Sequence, residues 1–192
     1  MKYPAISANV ALTILLAFSA LMNISLGYRV QTQQRDLHAL EERMSKERSI
    51  IGVKLADLHV KNIDGQLTTI QFTQADPPTI IYVFRPGCGW CAKNLSNIKE
   101  LSRQFGDNGK YRIIGIALDE NGLKAYMQGT QLNFPVYTGI SSDDVTRLAM
   151  GGTPQTIVIS NGQVTHSWSG AFSGEVLEDV EATLGIKLPG IS

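Results

Sequence analysis

Cysteine is almost missing from this chain: there are two in 192 residues, Cys88 and Cys91, with two residues between them. A framework of stapling disulfides is thereby excluded. Closing so small a loop would remove little entropy from the unfolded state, so a purely structural bridge would add little stability. Metal-ligating residues are scarce as well. A zinc centre takes about four ligands, and beyond the cysteine pair the sequence offers only His38, His59 and His166, isolated along the chain, so no metal is expected. Excess charge is also absent, 17 Lys and Arg standing against 17 Asp and Glu, which removes the basis for a nucleic-acid-binding face or an acidic tail. The length leaves room for one domain of about 100 to 150 residues and an appendage.

Between Lys2 and Arg29 there is no charged residue at all. The run from Ile6 to Leu26, ISANVALTILLAFSALMNISL, is about long enough to cross a hydrocarbon core as a helix. Residues 1–28 are therefore expected to form a single-pass transmembrane anchor. The competing reading is a cleaved signal peptide, with small residues Ser25 and Gly27 serving a cut after Gly27; the apolar run exceeds the usual core of such a peptide, which favours the anchor. Orientation is weakly encoded, since Arg29 and Arg35 are offset by Asp36, Glu41 and Glu42. Residues 29–49 follow as an expected helical stalk. From Gln31 to Arg48 the sequence is polar and free of Gly and Pro, with Leu37, Leu40 and Met44 at helical spacing. A solvated spacer and a short coiled-coil seam both fit that pattern.

A folded domain is expected over residues 50–192. Extended sequence from Ile50 to Phe72 contains an Asp64-Gly65 turn and reads as a hairpin. Thr79 to Phe84 (TIIYVF) is a β-branched run of buried-strand length, and after Pro86-Gly87 an amphipathic helix from Trp90 to Phe105 presents Leu95, Ile98, Leu101 and Phe105 on one face. A second buried strand, Tyr111 to Leu118, and a helix around Asn121 to Gln128 continue the alternation of a parallel α/β unit. A helix around Asp143 to Met150 comes next. The loop Gly151-Gly152-Thr153-Pro154 leads into strand Gln155 to Ser160, an Asn161-Gly162 turn, strand Gln163 to Trp168 and a last helix from Gly174 to Leu184.

Buried strand, sharp turn, then Cys88-Gly89-Trp90-Cys91 opening a helix is an arrangement suited to one chemistry. Unpaired amides in a helix's first turn stabilise an anion, and the thiolate is the attacking species in disulfide exchange. Cys88 is the expected nucleophile. Cys91, one turn deeper, would attack the mixed disulfide and release the partner. Half a zinc site, an inert disulfide and two ordinary buried thiols are the rival readings of the pair, and the strand-turn-helix setting weighs against them.

From about Gly52 onward the chain resembles the membrane-anchored thioredoxins of the TlpA and ResA type. The resemblance rests on the Asp64-Gly65 hairpin, the strand before CGWC, GIALDE closing the next strand, GGTPQT, and the final NGQV hairpin. It implies a thioredoxin-like α/β fold, a central mixed sheet flanked by helices. It further implies a cis bond at Thr153-Pro154, in a loop beside the cysteines where Thr153 offers its backbone to an extended substrate segment. Main-chain pairing of that kind suits a broad range of protein substrates.

Departures from the pattern bear on the site. Gly87 replaces a common tryptophan, and Trp90 occupies a place where proline or histidine is frequent. Asn94 stands where cytochrome-maturation relatives carry glutamate, and Tyr82 where thioredoxin itself has a buried aspartate; neither takes a proton as a carboxylate would, so the proton acceptor for Cys91 is unassigned. Arg85 is a candidate electrostatic support for Cys88, and a solvated surface arginine is the equal alternative. Trp90 is a candidate substrate contact, against the alternative that it covers the domain's own surface.

The expected activity is reversible thiol-disulfide exchange with protein thiols, without a dissociable cofactor, in an oxidising compartment. That places the domain on the periplasmic side of the inner (cytoplasmic) membrane, with an envelope redox partner recycling the pair. Two alternatives remain. A peroxiredoxin-like peroxidase shares the core fold, but its site typically has threonine three residues before the cysteine, where Arg85 stands. A non-catalytic docking module of an envelope complex is the other, because fold does not fix function.

Overall fold

The computed structural model describes residues 8–47, 49–74, 76–106 and 109–191, and the chain divides into two compact units, Met1–Ser49 and Ile50–Ser192. The first unit is one helix, α1 (Ala8–Glu47). It runs without a break through the change from apolar to polar sequence at Tyr28-Arg29. Leu15, Leu16, Phe18, Leu21, Met22, Ile24 and Leu26 are all exposed on it. Among the described residues no helix is long and apolar enough to cross a membrane, so the transmembrane segment expected over 1–28 is not shown. Residues 1–7, which include Lys2 and the start of the apolar run, and Arg48 at the end of the expected stalk lie outside the described residues.

In the second unit a seven-stranded mixed sheet has the order β2-β1-β5-β4-β3-β6-β7. The strands are β1 (Asp57–Asn62), β2 (Leu67–Gln71), β3 (Thr79–Phe84), β4 (Arg112–Ala117), β5 (Val136–Thr138), β6 (Gln155–Ser160) and β7 (Gln163–Ser169). β3 runs parallel to β4 and antiparallel to β6, so both of its edges are paired and its six residues are all buried. That is why the segment reads as a continuous apolar run instead of an alternating one.

The helices are α2 (Gly89–Lys93), α3 (Leu95–Gly106), α4 (Leu123–Thr130), α5 (Ser142–Arg147) and α6 (Gly174–Leu184). Successive residues of β3 serve opposite faces. Ile80, Tyr82 and Phe84 pack with Cys91, Ile98, Leu101, Phe105, Val180 and Leu184 on the face covered by α2, α3, α4 and α6. Ile81 and Val83 join Leu58, Val60, Ile70, Leu148 and Met150 on the other face.

Turn chemistry fixes both hairpins. Asn161 and Gly162 have φ of 53° and 70°, the left-handed pair that a two-residue turn with right-handed strand twist requires. In the β1–β2 hairpin Asn62 Oδ1 accepts from the amides of Asp64 and Gln66, and Gly65 takes φ of 82°. The helix expected from Trp90 to Phe105 is divided at Asn94, which caps α2 while its carbonyl accepts from Ile98 N. β5, three residues long, was not anticipated.

Candidate functional site

The site lies at the carboxyl end of β3. After Phe84 the chain turns over Arg85-Pro86-Gly87, with Cys88 N donating to the Arg85 carbonyl at 3.1 Å. Cys88 is the N-cap of α2. Its Sγ accepts from the Cys91 amide at 3.1 Å, and its carbonyl from the Ala92 amide at 3.0 Å. The two sulfurs are joined in a disulfide, with Cα atoms 5.2 Å apart. Access differs between them: Cys88 is partly exposed, whereas Cys91 is fully buried.

Across from the pair, the loop before β6 brings in Thr153. Its carbonyl oxygen lies 3.4 Å from Cys88 Sγ, a contact to which only the reduced thiol has a hydrogen to donate. The Thr153-Pro154 peptide is cis, as the resemblance implies, and the buried Pro154 offers its carbonyl to Gly170 N at 2.8 Å. Trp90 stands out from this surface at 57% exposure, with Lys93 Nζ 4.6 Å from the ring centroid.

No protein-family model matches this chain, and no curated protein matches it. Solved structures do. A thiol-disulfide oxidoreductase from Bacteroides fragilis aligns over 68% of this chain and 98% of its own at 16% identity, with a TM-score of 0.55. StoA from Bacillus subtilis aligns over 65% of this chain and 95% of its own at 15% identity, TM-score 0.52. An uncharacterized thioredoxin-like protein from Porphyromonas gingivalis aligns over 69% of this chain and 90% of its own at 22% identity, TM-score 0.54. The fold is thioredoxin-like. At these identities the likeness concerns architecture, and the chemistry has to be argued from the residues of this chain.

Within the thioredoxin-like fold, Cys88, Cys91, Thr153 and Pro154 come together although 65 positions separate Cys88 from Thr153. Trp90 belongs to the same surface. Arg85 is exposed, and its backbone carbonyl, which accepts from Cys88 N, ties it to the site.

Behind the pair is a set of buried polar groups. Asn94 Oδ1 accepts from Phe172 N at 3.0 Å and from Asn97 Nδ2 at 2.9 Å, and Asn97 Oδ1 accepts from Gly190 N at 2.8 Å. Two amides on the apolar stripe of Ile98, Leu101 and Phe105 are the sequence signal for this network. Tyr82 is 1% exposed, and burial, then the neighbouring Tyr126, push its hydroxyl pKa up while the Asn94 side chain pulls the other way. Burial likewise raises Tyr126. Asn94 Nδ2 approaches Tyr82 Oη without closing a hydrogen bond, and Tyr82 Oη, Tyr126 Oη and Asn94 Nδ2 have no other protein partner.

Proposed function

We propose that this protein is a thiol-disulfide oxidoreductase that exchanges disulfides with protein thiols through Cys88 and Cys91. The observation that carries the reading is the asymmetry of the pair: Cys88 is partly exposed and its Sγ already accepts the Cys91 amide, while Cys91 is closed off from solvent. In the reduced form the same N–H would stabilise a Cys88 thiolate. That thiolate attacks a partner disulfide, expelling one partner thiolate and leaving a mixed disulfide. The Cys91 thiolate then attacks Cys88 Sγ, expels the second partner sulfur and closes the Cys88–Cys91 bond, so two electrons pass to the partner, whose thiolates take up protons. Run backwards, the same steps oxidise a partner dithiol.

The half-buried Thr153, whose carbonyl lies beside Cys88 Sγ, and the exposed Trp90 ring would hold an extended partner segment by main-chain pairing and aromatic contact. Arg85, three residues before Cys88, would lend electrostatic support to the Cys88 thiolate. The apolar run of α1 would anchor the chain in the inner membrane, with the domain on the periplasmic side, where a membrane or envelope partner recycles the pair.

Dithiothreitol-driven insulin reduction tests the activity. Wild type should accelerate insulin precipitation and Cys88→Ser should not, whereas Cys91→Ser should accumulate partners as stable mixed disulfides. Equal trapping by both variants would contradict the assigned roles. Carbonate extraction tests the anchor: recovery of a chain starting near Tyr28 in the soluble fraction would replace it with a cleaved leader.

A further inference from the structure

The groups left unbonded behind the cysteine pair have one property in common. Tyr82 Oη and Asn94 Nδ2 are hydrogen-bond donors, their residues are almost wholly buried (1% and 0% exposed), and neither closes a hydrogen bond to a protein acceptor, Asn94 Nδ2 only approaching Tyr82 Oη. An unsatisfied buried donor costs free energy, so native structures keep few of them. Asn94 follows Cys91 by three residues, a spacing that sets two helical side chains on one face, and Tyr82 packs in the same apolar cluster as Cys91. No charged side chain is buried among the described residues, so the cluster holds no buried carboxylate to receive the Cys91 proton. What it offers is donors.

A disulfide sulfur is a weak acceptor and a thiolate a strong one, so donors that are idle in the disulfide form acquire a partner only when Cys91 carries charge. We propose that the Tyr82 hydroxyl and the Asn94 amide form an uncharged donor pair that stabilises the Cys91 thiolate as it attacks the mixed disulfide. Both groups keep their own protons. The proton lost by Cys91 leaves with the departing partner thiolate, the Cys91–Cys88 bond forms and the bond from Cys88 to the partner sulfur breaks. Asn94 is held for this by its other end, because Oδ1 is committed to Phe172 N and Asn97 Nδ2, which directs Nδ2 away from them. The inference rests on the oxidoreductase reading above.

The test uses the full reduced chain and Ellman's aromatic disulfide, which releases one coloured thiolate when Cys88 attacks and a second when Cys91 resolves. The first phase depends on reagent concentration; the second does not. Tyr82→Phe, which removes only the unbonded hydroxyl, should leave the first phase unchanged and slow the second by about tenfold, the scale of one hydrogen bond to a charged group. Asn94→Ala should slow the second phase at least as much, with the first phase serving as the check that the site is folded. Unchanged second phases in both variants, or equal slowing of both phases, would overturn the donor pair while leaving the oxidoreductase intact. Absence of a second phase in the wild type would overturn both.

Discussion

Gly115 shows how closely the sheet is fitted beneath the site. A methyl group built on its Cα would meet Val136 Cγ2 at 3.0 Å, Phe134 Cε2 at 3.2 Å and Phe84 Cε1 at 3.2 Å, and Phe84 is the last residue of the strand that carries Cys88. All three neighbours would have to give by a few tenths of an ångström. Gly115→Ala should therefore destabilise the domain by about 1–3 kcal/mol, the usual cost of overpacking, read as a lower urea midpoint with an unchanged slope. A neutral result would mean that Phe84 yields, and with it the geometry of the turn to Cys88. The sequence announced Cys88 and Cys91 by their spacing, whereas nothing local distinguished Gly115 from a turn glycine, because its requirement comes from residues more than ten positions away.

At the scale of elements, α3 is the arm that holds α2 against the core, and its outer face carries an acid-sensitive contact. Glu100 accepts from Arg103 and Gln104, and these bonds, the first being the larger influence, hold its carboxyl at about 2, below its ordinary 4.5. The stability this contributes is complete above the unfolded value and is lost as pH falls through the folded one. Glu100→Gln should therefore flatten the fall in urea midpoint between pH 4.5 and 2 and change little near neutrality, where an exposed pair is well screened. A variant whose acid limb is as steep as the wild type's would refute this. The elements differed in how plainly they could be read. β3, β6 and α6 have the expected boundaries because β-branched runs, an Asn-Gly turn and a glycine-bounded helix are local signals. β5 is three residues whose strand character comes only from pairing with β1 and β4. The break at Asn94 was hidden because the apolar period of Leu95, Ile98, Leu101 and Phe105 is unbroken.

For the whole molecule, the buried residues of both apolar clusters lie between Ile50 and Leu184 among the described residues. Ile50–Ser192 alone should thus unfold as one cooperative transition, with fluorescence and circular dichroism giving the same urea midpoint; separate midpoints would show that the two clusters do not form one cooperative unit. The Asn97–Gly190 hydrogen bond has a consequence in time. It joins residues 93 positions apart, and Asn97 in turn bonds to Asn94, one turn beyond Cys91. During synthesis the cysteines emerge about a hundred residues before Gly190, so the hydrogen-bond network behind them cannot close until Gly190 has been made. A nascent chain meeting an oxidant early would close its Cys88–Cys91 bond on an unfinished scaffold, before the segment around Gly190 had docked behind it.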